Sequence, residues 1–132
     1  MIDFSKITAQ IIEKLSQNDY FENFKIISAF EPRQKPTIPK RPAIVCGISE
    51  ASAQTAALGE DVLAGQVTAY ADIYAPYSMR GFDFLQTAGR IFQCICSDVP
   101  VSIGAGLITA DDESECFVMR LTVTFSDKIN FD

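Results

Sequence analysis

Histidine and tryptophan are both absent from this 132-residue chain. Without histidine, it lacks the side chain that most often acts as a general base or metal ligand near neutral pH. Its serines and cysteines have no identifiable base, and Gly104-Ala105-Gly106 is too short for a dinucleotide-binding loop. We therefore predict that the chain is not an enzyme, and we expect no catalytic residue, no metal site and no cofactor.

Long hydrophobic runs are also lacking. No stretch of about eighteen apolar residues is present, and residues 1–6 do not form a charged and then apolar leader. The sequence therefore predicts an intracellular protein without a membrane span, in which the cysteines are reduced thiols. Two of them, Cys94 and Cys96, lie roughly 200° apart around a predicted helix, so they cannot bind one metal ion together.

Positive charge is scarce, with 11 Lys and Arg residues against 17 Asp and Glu residues and a net charge of −6. This balance argues against nonspecific binding of duplex nucleic acid over a broad surface, because that affinity comes largely from neutralising phosphates. The 48% hydrophobic content is that of an ordinary globular protein. We expect a single domain over residues 1–132.

The stretch from Val67 to Ala75 alternates between two kinds of residue. Its odd positions are small or branched apolar residues, and its even positions include Tyr70, Asp72 and Tyr74. Because side chains alternate across a strand, one face is predicted to lie on a core and the other to carry the tyrosines. After a corner at Pro76, apolar residues at three- and four-residue steps over 82–96 predict a helix.

The same patterns predict the remaining elements. An opening helix is expected over 3–16. Further strands are expected over 24–30, 43–48, 101–109 and 117–125. Gly104 and Gly106 indicate a bend or bulge in the third of these. The order α-β-β-β-α-β-β predicts an α+β fold, with a largely antiparallel or mixed sheet of about five strands and two helices packed on one face.

Residues 49–65 connect two of the predicted strands and are rich in Ala, Ser, Thr, Gln and Gly. A connection of this length is uncommon inside a compact domain and is usually either functional or mobile. We predict a long mobile loop that forms a hairpin excursion, with a short helix over 51–58 as the alternative.

Four prolines interrupt residues 31–42, so neither a helix nor a central strand can persist there. Against a single acid, Glu31, this segment carries four basic residues, which are Arg33, Lys35, Lys40 and Arg41. One interpretation is a stiff, solvated connector. The other is an extended arm that docks on an acidic surface of a neighbouring subunit or another partner, steered by opposite charge.

Two other groups of residues are candidates for contact with a partner. Tyr70 and Tyr74 can form a subunit contact or stack on bases, and the lack of basic residues interleaved with them favours a protein contact. The alternative is that their own chain covers them. A set of acids forms a predicted turn and does not have calcium-loop spacing, which favours a solvated hairpin tip: Asp111, Asp112, Glu113 and Glu115.

The order of these elements resembles a known family. An amino-terminal helix and a Pro-rich passage lead into the strand Arg41-Pro42-Ala43-Ile44-Val45, and a long insertion leads into the strand 66–76, a helix and a closing hairpin. This arrangement is similar to that of the bacteriophage tail terminator and tail completion proteins. The likeness lies in the element order over nearly the whole chain, and no short motif carries it.

The resemblance implies a homo-oligomeric ring, usually a hexamer, in the virion after synthesis in the bacterial host cytoplasm. Such a ring caps the head-proximal end of the tail tube and meets the head connector protein, and DNA passes through it without specific binding. We expect the four basic residues of segment 31–42 to contact neighbours or tube and the four acids at 111–115 to complement them. Other neck, head-closure or tube proteins, a host regulatory domain, a small-molecule-binding domain and an enzyme are the alternatives.

Overall fold

Two helices lie on one face of a six-stranded mixed sheet in this computed structural model, whose described residues are 4–29, 40–55, 62–95 and 102–130. The helices are α1 (Phe4–Ser16) and α2 (Phe84–Ile95). The strands are β1 (Lys25–Ser28), β2 (Ala43–Thr55), β3 (Val62–Pro76), β4 (Ser102–Ala105), β5 (Thr109–Asp111) and β6 (Cys116–Asn130). The predicted α+β class is confirmed.

The sheet has the order β1-β2-β3-β6-β4, and β5 pairs with β6 on the same side as β4. The β1–β2 pair is parallel, and the other pairs are antiparallel. The strand predicted over 101–109 is interrupted: Gly106 donates its N–H to the carbonyl of Arg120 at 2.8 Å, between the two short strands. The prediction of one bent edge strand is therefore replaced by two strands.

Helix α2 has a side-chain cap at its start and a buried apolar side. Asp83 stands before α2, and its Oδ1 accepts a hydrogen bond from the N–H of Gln86 at 2.9 Å, which satisfies one of the free donors at the helix start. Along α2 the apolar stripe predicted from the sequence is buried, with Ile91 and Ile95 among its members. Neither helix among the described residues is long and apolar enough to cross a membrane.

The core lies between the helices and the inner face of the sheet. On β3 the odd positions from 69 to 75 are buried there, and three of these four are alanines. Such small side chains let a helix approach the strand closely. The central strand of the sheet thus has the orientation that its alternation predicts, with Ile73 fully buried.

The predicted hairpin over 49–65 is present, since β2 and β3 pair in antiparallel orientation. Residues 49–55 and 62–65 belong to its strands, so the prediction of a loop is wrong for them, as is the alternative of a helix for residues 51–55. Both stretches continue β2 and β3 as paired strands, with Thr55 opposite Leu63. A register shift between Ile48 and Glu50 leaves Ser49 as an extra residue, and its hydroxyl donates to the carbonyl of Thr68 at 3.2 Å. The strand continues beyond this bulge, and Ile48, directly before it, packs against the core.

The sheet is much longer than the helices that cover it. β3, with 15 residues, is about 50 Å long. With 13 and 12 residues, α1 and α2 are each about 20 Å long. The three central strands are therefore more than twice as long as either helix, and we call their paired outer part the tongue, which we define as residues 51–55, 62–66 and 125–130.

Candidate assembly surface

The face of the sheet opposite the helices carries the predicted tyrosines. Tyr70 and Tyr74 are both half-buried there, on either side of Asp72. The register places Asp72 directly opposite Arg120 of β6. Since partners in register point to the same side of a sheet, all four side chains lie together on this outer face.

An ion pair crosses this face between the two longest strands. Nε and an Nη atom of Arg120 donate to the two carboxylate oxygens of Asp72 at 2.8 and 2.9 Å. Asp72 is only 8% exposed, whereas the side chain of Arg120 is 52% exposed. The hydrogen bond to Asp72 raises the pKa of Arg120 above its usual value, against the lowering effect of burial.

Arg120 also lies over the ring of Tyr70, with its guanidinium carbon 4.2 Å from the ring centroid. This geometry is favourable for a cation–π interaction. The sequence-based argument that no basic residue accompanies the tyrosines is therefore wrong. A side chain 50 positions away in the sequence is brought to Tyr70 by strand pairing.

Gly47 makes room for Tyr70 on the neighbouring strand. A Cβ atom at Gly47 would lie 2.5 Å from Oη and 2.6 Å from Cζ of Tyr70, closer than nonbonded atoms approach. We expect Gly47→Ala to displace the ring and to lower the free energy of unfolding by about 1 kcal/mol. Urea denaturation of the purified variant measures this change.

The matched test of that prediction uses a Tyr70→Ala background, where the clash is gone. There Gly47→Ala should be neutral or stabilise by about 0.5 kcal/mol, because glycine is intrinsically unfavourable within a strand. The same loss in both backgrounds would show that the contact with Tyr70 is not what requires glycine.

The predicted acids form an ordered turn between β5 and β6, which we call the acidic corner: Asp111, Asp112, Glu113 and Glu115. Ser114 Oγ donates to Asp111 Oδ2 at 2.7 Å, and the hydroxyl of Tyr77 donates to Asp112 Oδ1 at 2.9 Å. The latter bond is the largest contribution raising the pKa of Tyr77. Glu113 and Glu115 remain exposed, so the corner presents negative charge to solvent.

Basic residues lie at the other edge of the sheet. Lys40 and Arg41 precede β2 and are exposed, and exposed Lys25 begins β1 beside them. The N–H of Lys25 donates to the carbonyl of Pro42 at 2.9 Å, which holds the two segments together. We call Lys25, Lys40 and Arg41 the basic edge. Arg33 and Lys35, which were also predicted to contact a partner, lie outside the described residues.

The acidic corner and the basic edge are at the same end of the strands but at opposite lateral edges of the sheet. The strand partners Lys25, Ala43, Tyr74, Val118 and Thr109 form one row across the sheet. That row begins within the basic edge and ends beside the acidic corner. The acidic corner and the basic edge, which were predicted to be complementary, are therefore separated by the width of the sheet within one chain.

Sequence reasoning missed three parts of this surface. Arg120 was assigned only to a polar strand position, and Lys25 was not separated from the rest of its strand. Leu107, which is 88% exposed, and Ile108 lie between the two strands at the β4–β5 edge. Large apolar residues beside glycine would have been the available signal for an exposed edge.

The cavity between the helices and the sheet is small. A cavity of about 10 Å³ between the helices and the sheet is lined by Ile11, Ile91, Ile95 and apolar residues of β3 and β6, together with Tyr70. It has room for about one water molecule. Across the described ranges of the chain, no three Cys, Asp or Glu residues are grouped so that they could hold a metal ion.

Comparison of the chain with family models and with curated proteins finds no match. The resemblance to phage tail terminator and tail completion proteins therefore stays a prediction, based on element order.

Proposed function

We propose that this chain is a structural virion protein that assembles as a ring, caps the tail tube of a phage and forms the joint to the head connector. The observation that carries the proposal is the tongue. With the tongue, the three central strands stay paired over a length more than twice that of either helix.

The charges of the outer regions are consistent with this role. Acids and bases are separated to opposite sides of the sheet, so that copies placed side by side bring opposite charges together. The net charge of −6 suits a ring through which DNA slides without specific binding. The hexameric state, the tube and the connector come from the resemblance, as does the virion location.

A shortened tongue tests the proposal. The register places Ala53 opposite Gly65, so residues 54–64 can be replaced by an Asn-Gly turn that joins this pair. Because the buried core residues of β3 at positions 69–75 and of β2 at positions 43–46 are all kept, we expect the variant to fold and to form rings. It should fail to bind tail tubes and to stop their growth, as seen by negative-stain electron microscopy with purified tube subunits of the same phage.

Leu85→Ala serves as the control, because Leu85 is 77% exposed on α2 and is not in the tongue. This variant should cap tubes as the unmodified chain does. If the shortened variant still capped tubes, the tongue would not be needed for capping, and the observation that carries the proposal would fail. If the unmodified chain stacked by itself into long tubes, it would be a tube subunit instead, and if it bound no tubes at all, the capping role would be wrong.

A further inference from the structure

The sheet has two lateral edges that no other described strand covers. β1 is the last strand on one side, and the short strands β4 and β5 form the other side. An open strand edge presents backbone N–H and C=O groups that can pair with another strand. Two different edges, each without a partner strand among the described residues, allow head-to-tail pairing between copies.

The two edges occupy the same stretch of the sheet. One row of strand partners connects Lys25 of β1 to Thr109 of β5. Three residues further along β1, the row through Ser28, Cys46, Ala71 and Leu121 ends at Ala105 of β4. The four residues of β1 are therefore level with residues 105–109 of the opposite edge.

Strand directions allow these edges to pair favourably. β1 is parallel to β2, and β2 and β6 are each antiparallel to β3, so β1 and β6 run in the same direction. β4 and β5 are antiparallel to β6. If copies stand side by side with all tongues pointing the same way, β1 of one copy therefore meets β4 and β5 of the next in antiparallel orientation, which is the stronger form of pairing.

The side chains along the two edges are also complementary in order. Starting from the end opposite the tongue, one edge has basic residues followed by Ile26 and Ile27, which are half-buried. The other has the acidic corner followed by Ile108 and Leu107, which are exposed. When two copies stand side by side, the acidic corner of one therefore lies next to the basic edge of the other. The apolar residues of the two edges also lie next to each other, as in the core of a protein interface with a polar rim.

We propose that β1 and the basic edge of one copy pair with the β4–β5 edge and the acidic corner of the next copy, with every tongue on the same side of the assembly. This inference rests on the proposed function for the claim that the copies close into a ring. A contact between two different surfaces generates a ring when the rotation closes. The occupant of each edge is therefore a second copy of this chain.

Charge exchange tests this contact. One variant carries Lys25→Glu and Arg41→Glu, and the other carries Glu113→Lys and Glu115→Lys, which leaves the hydrogen bonds of Asp111 and Asp112 in place. Each variant alone should need a concentration at least about tenfold higher to form rings, because like charges meet at every contact. Mass photometry over a concentration series, with and without tail tubes, measures the change.

The two variants mixed in equal amounts should form rings again at nearly the original concentration. Copies must then alternate strictly, so that every contact joins opposite charges and the ring has an even number of subunits. A single chain with all four substitutions should assemble as well, and circular dichroism melting of each variant separates misfolding from lost contact. Matched salt series should show that the single-variant defect shrinks at high ionic strength.

The outcomes separate this contact from the proposed function. If the charge variants form rings as readily as the unmodified chain, or if the mixture does not recover, the contact is wrong while ring formation stands. If the unmodified chain is monomeric both alone and on tail tubes, the ring fails, and the contact fails with it.

Discussion

Replacing Arg120 with methionine should lower the free energy of unfolding by about 2 kcal/mol, because the carboxylate of Asp72 would be left nearly buried and without its partner. The full cost of breaking a buried ion pair is larger, but the guanidinium of Arg120 is half exposed, and water partly screens the pair. Methionine retains much of the arginine stem, so packing over Tyr70 changes less than charge does. Urea denaturation at pH 7.5 measures the loss.

A double-mutant cycle separates this effect from a general surface effect. Adding Asp72→Asn to Arg120→Met removes the unpaired charge and should recover part of the loss. The free energy of unfolding of Arg120→Lys should lie between those of the unmodified chain and Arg120→Met, because lysine retains the charge but not the two parallel hydrogen bonds.

Arg80 provides the comparison, since it lies exposed in the turn before α2. Arg80→Met is expected to change stability by less than about 0.5 kcal/mol. If Arg120→Met behaved like Arg80→Met, the pair with Asp72 would be a surface feature and would not hold β3 to β6.

The sequence predicted those parts of the fold in which a residue pattern depends on one element alone. The alternation along β3 and the apolar stripe of α2 each report burial of one side, and Ile73 and Ile91 are fully buried where these patterns place them. The turn of acids between two strands followed in the same way from local composition. Such signals do not depend on which strand lies next to which.

The extension of the strands through residues 49–55 and 62–65 could not be predicted in this way. Ala, Ser, Gln and Gly have low strand propensity, and these stretches read as a loop. Their strand structure comes from pairing: Gln54 lies opposite Ala64, which in turn lies opposite Lys128 of β6. Residues 62–65 lie between two partner strands, and residues 50–55 pair with β3. A single sequence does not show which strands are neighbours.

The candidate assembly surface shows the same limit. Tyr70 and Tyr74 were placed on the correct face by alternation, yet Arg120 joins them only through the register of β3 with β6. Likewise, local charge identified Lys40 and Glu113, whereas their positions at one end of the sheet follow from four successive strand pairings. The ring, the tube and the connector stay predictions from the resemblance.

Alkaline pH should destabilise the protein through Cys46, whose side chain is fully buried on the inner face of the sheet. Burial, and to a lesser extent the nearby charge of Asp72, raises the pKa of this thiol from 9.0 to about 12. Between these values the unfolded chain loses a proton that the folded chain keeps. The contribution is therefore fully present below pH 9 and is lost as pH rises towards 12, by about 1.4 kcal/mol per pH unit.

Urea denaturation at pH 7.5, 8.5, 9.5 and 10.5 measures this slope, and Cys46→Ala provides the control because it removes the thiol while keeping a small apolar side chain. The stability of the unmodified protein relative to Cys46→Ala should fall as the pH rises above 9, whatever the difference is at pH 7.5. Burial also raises the pKa of Cys116, which contributes to the slope of both proteins alike and cancels in the difference. Parallel curves for the two proteins from pH 7.5 to 10.5 would mean that the Cys46 thiol ionises as easily in the folded chain as in the unfolded one, and that water reaches the inner face of the sheet.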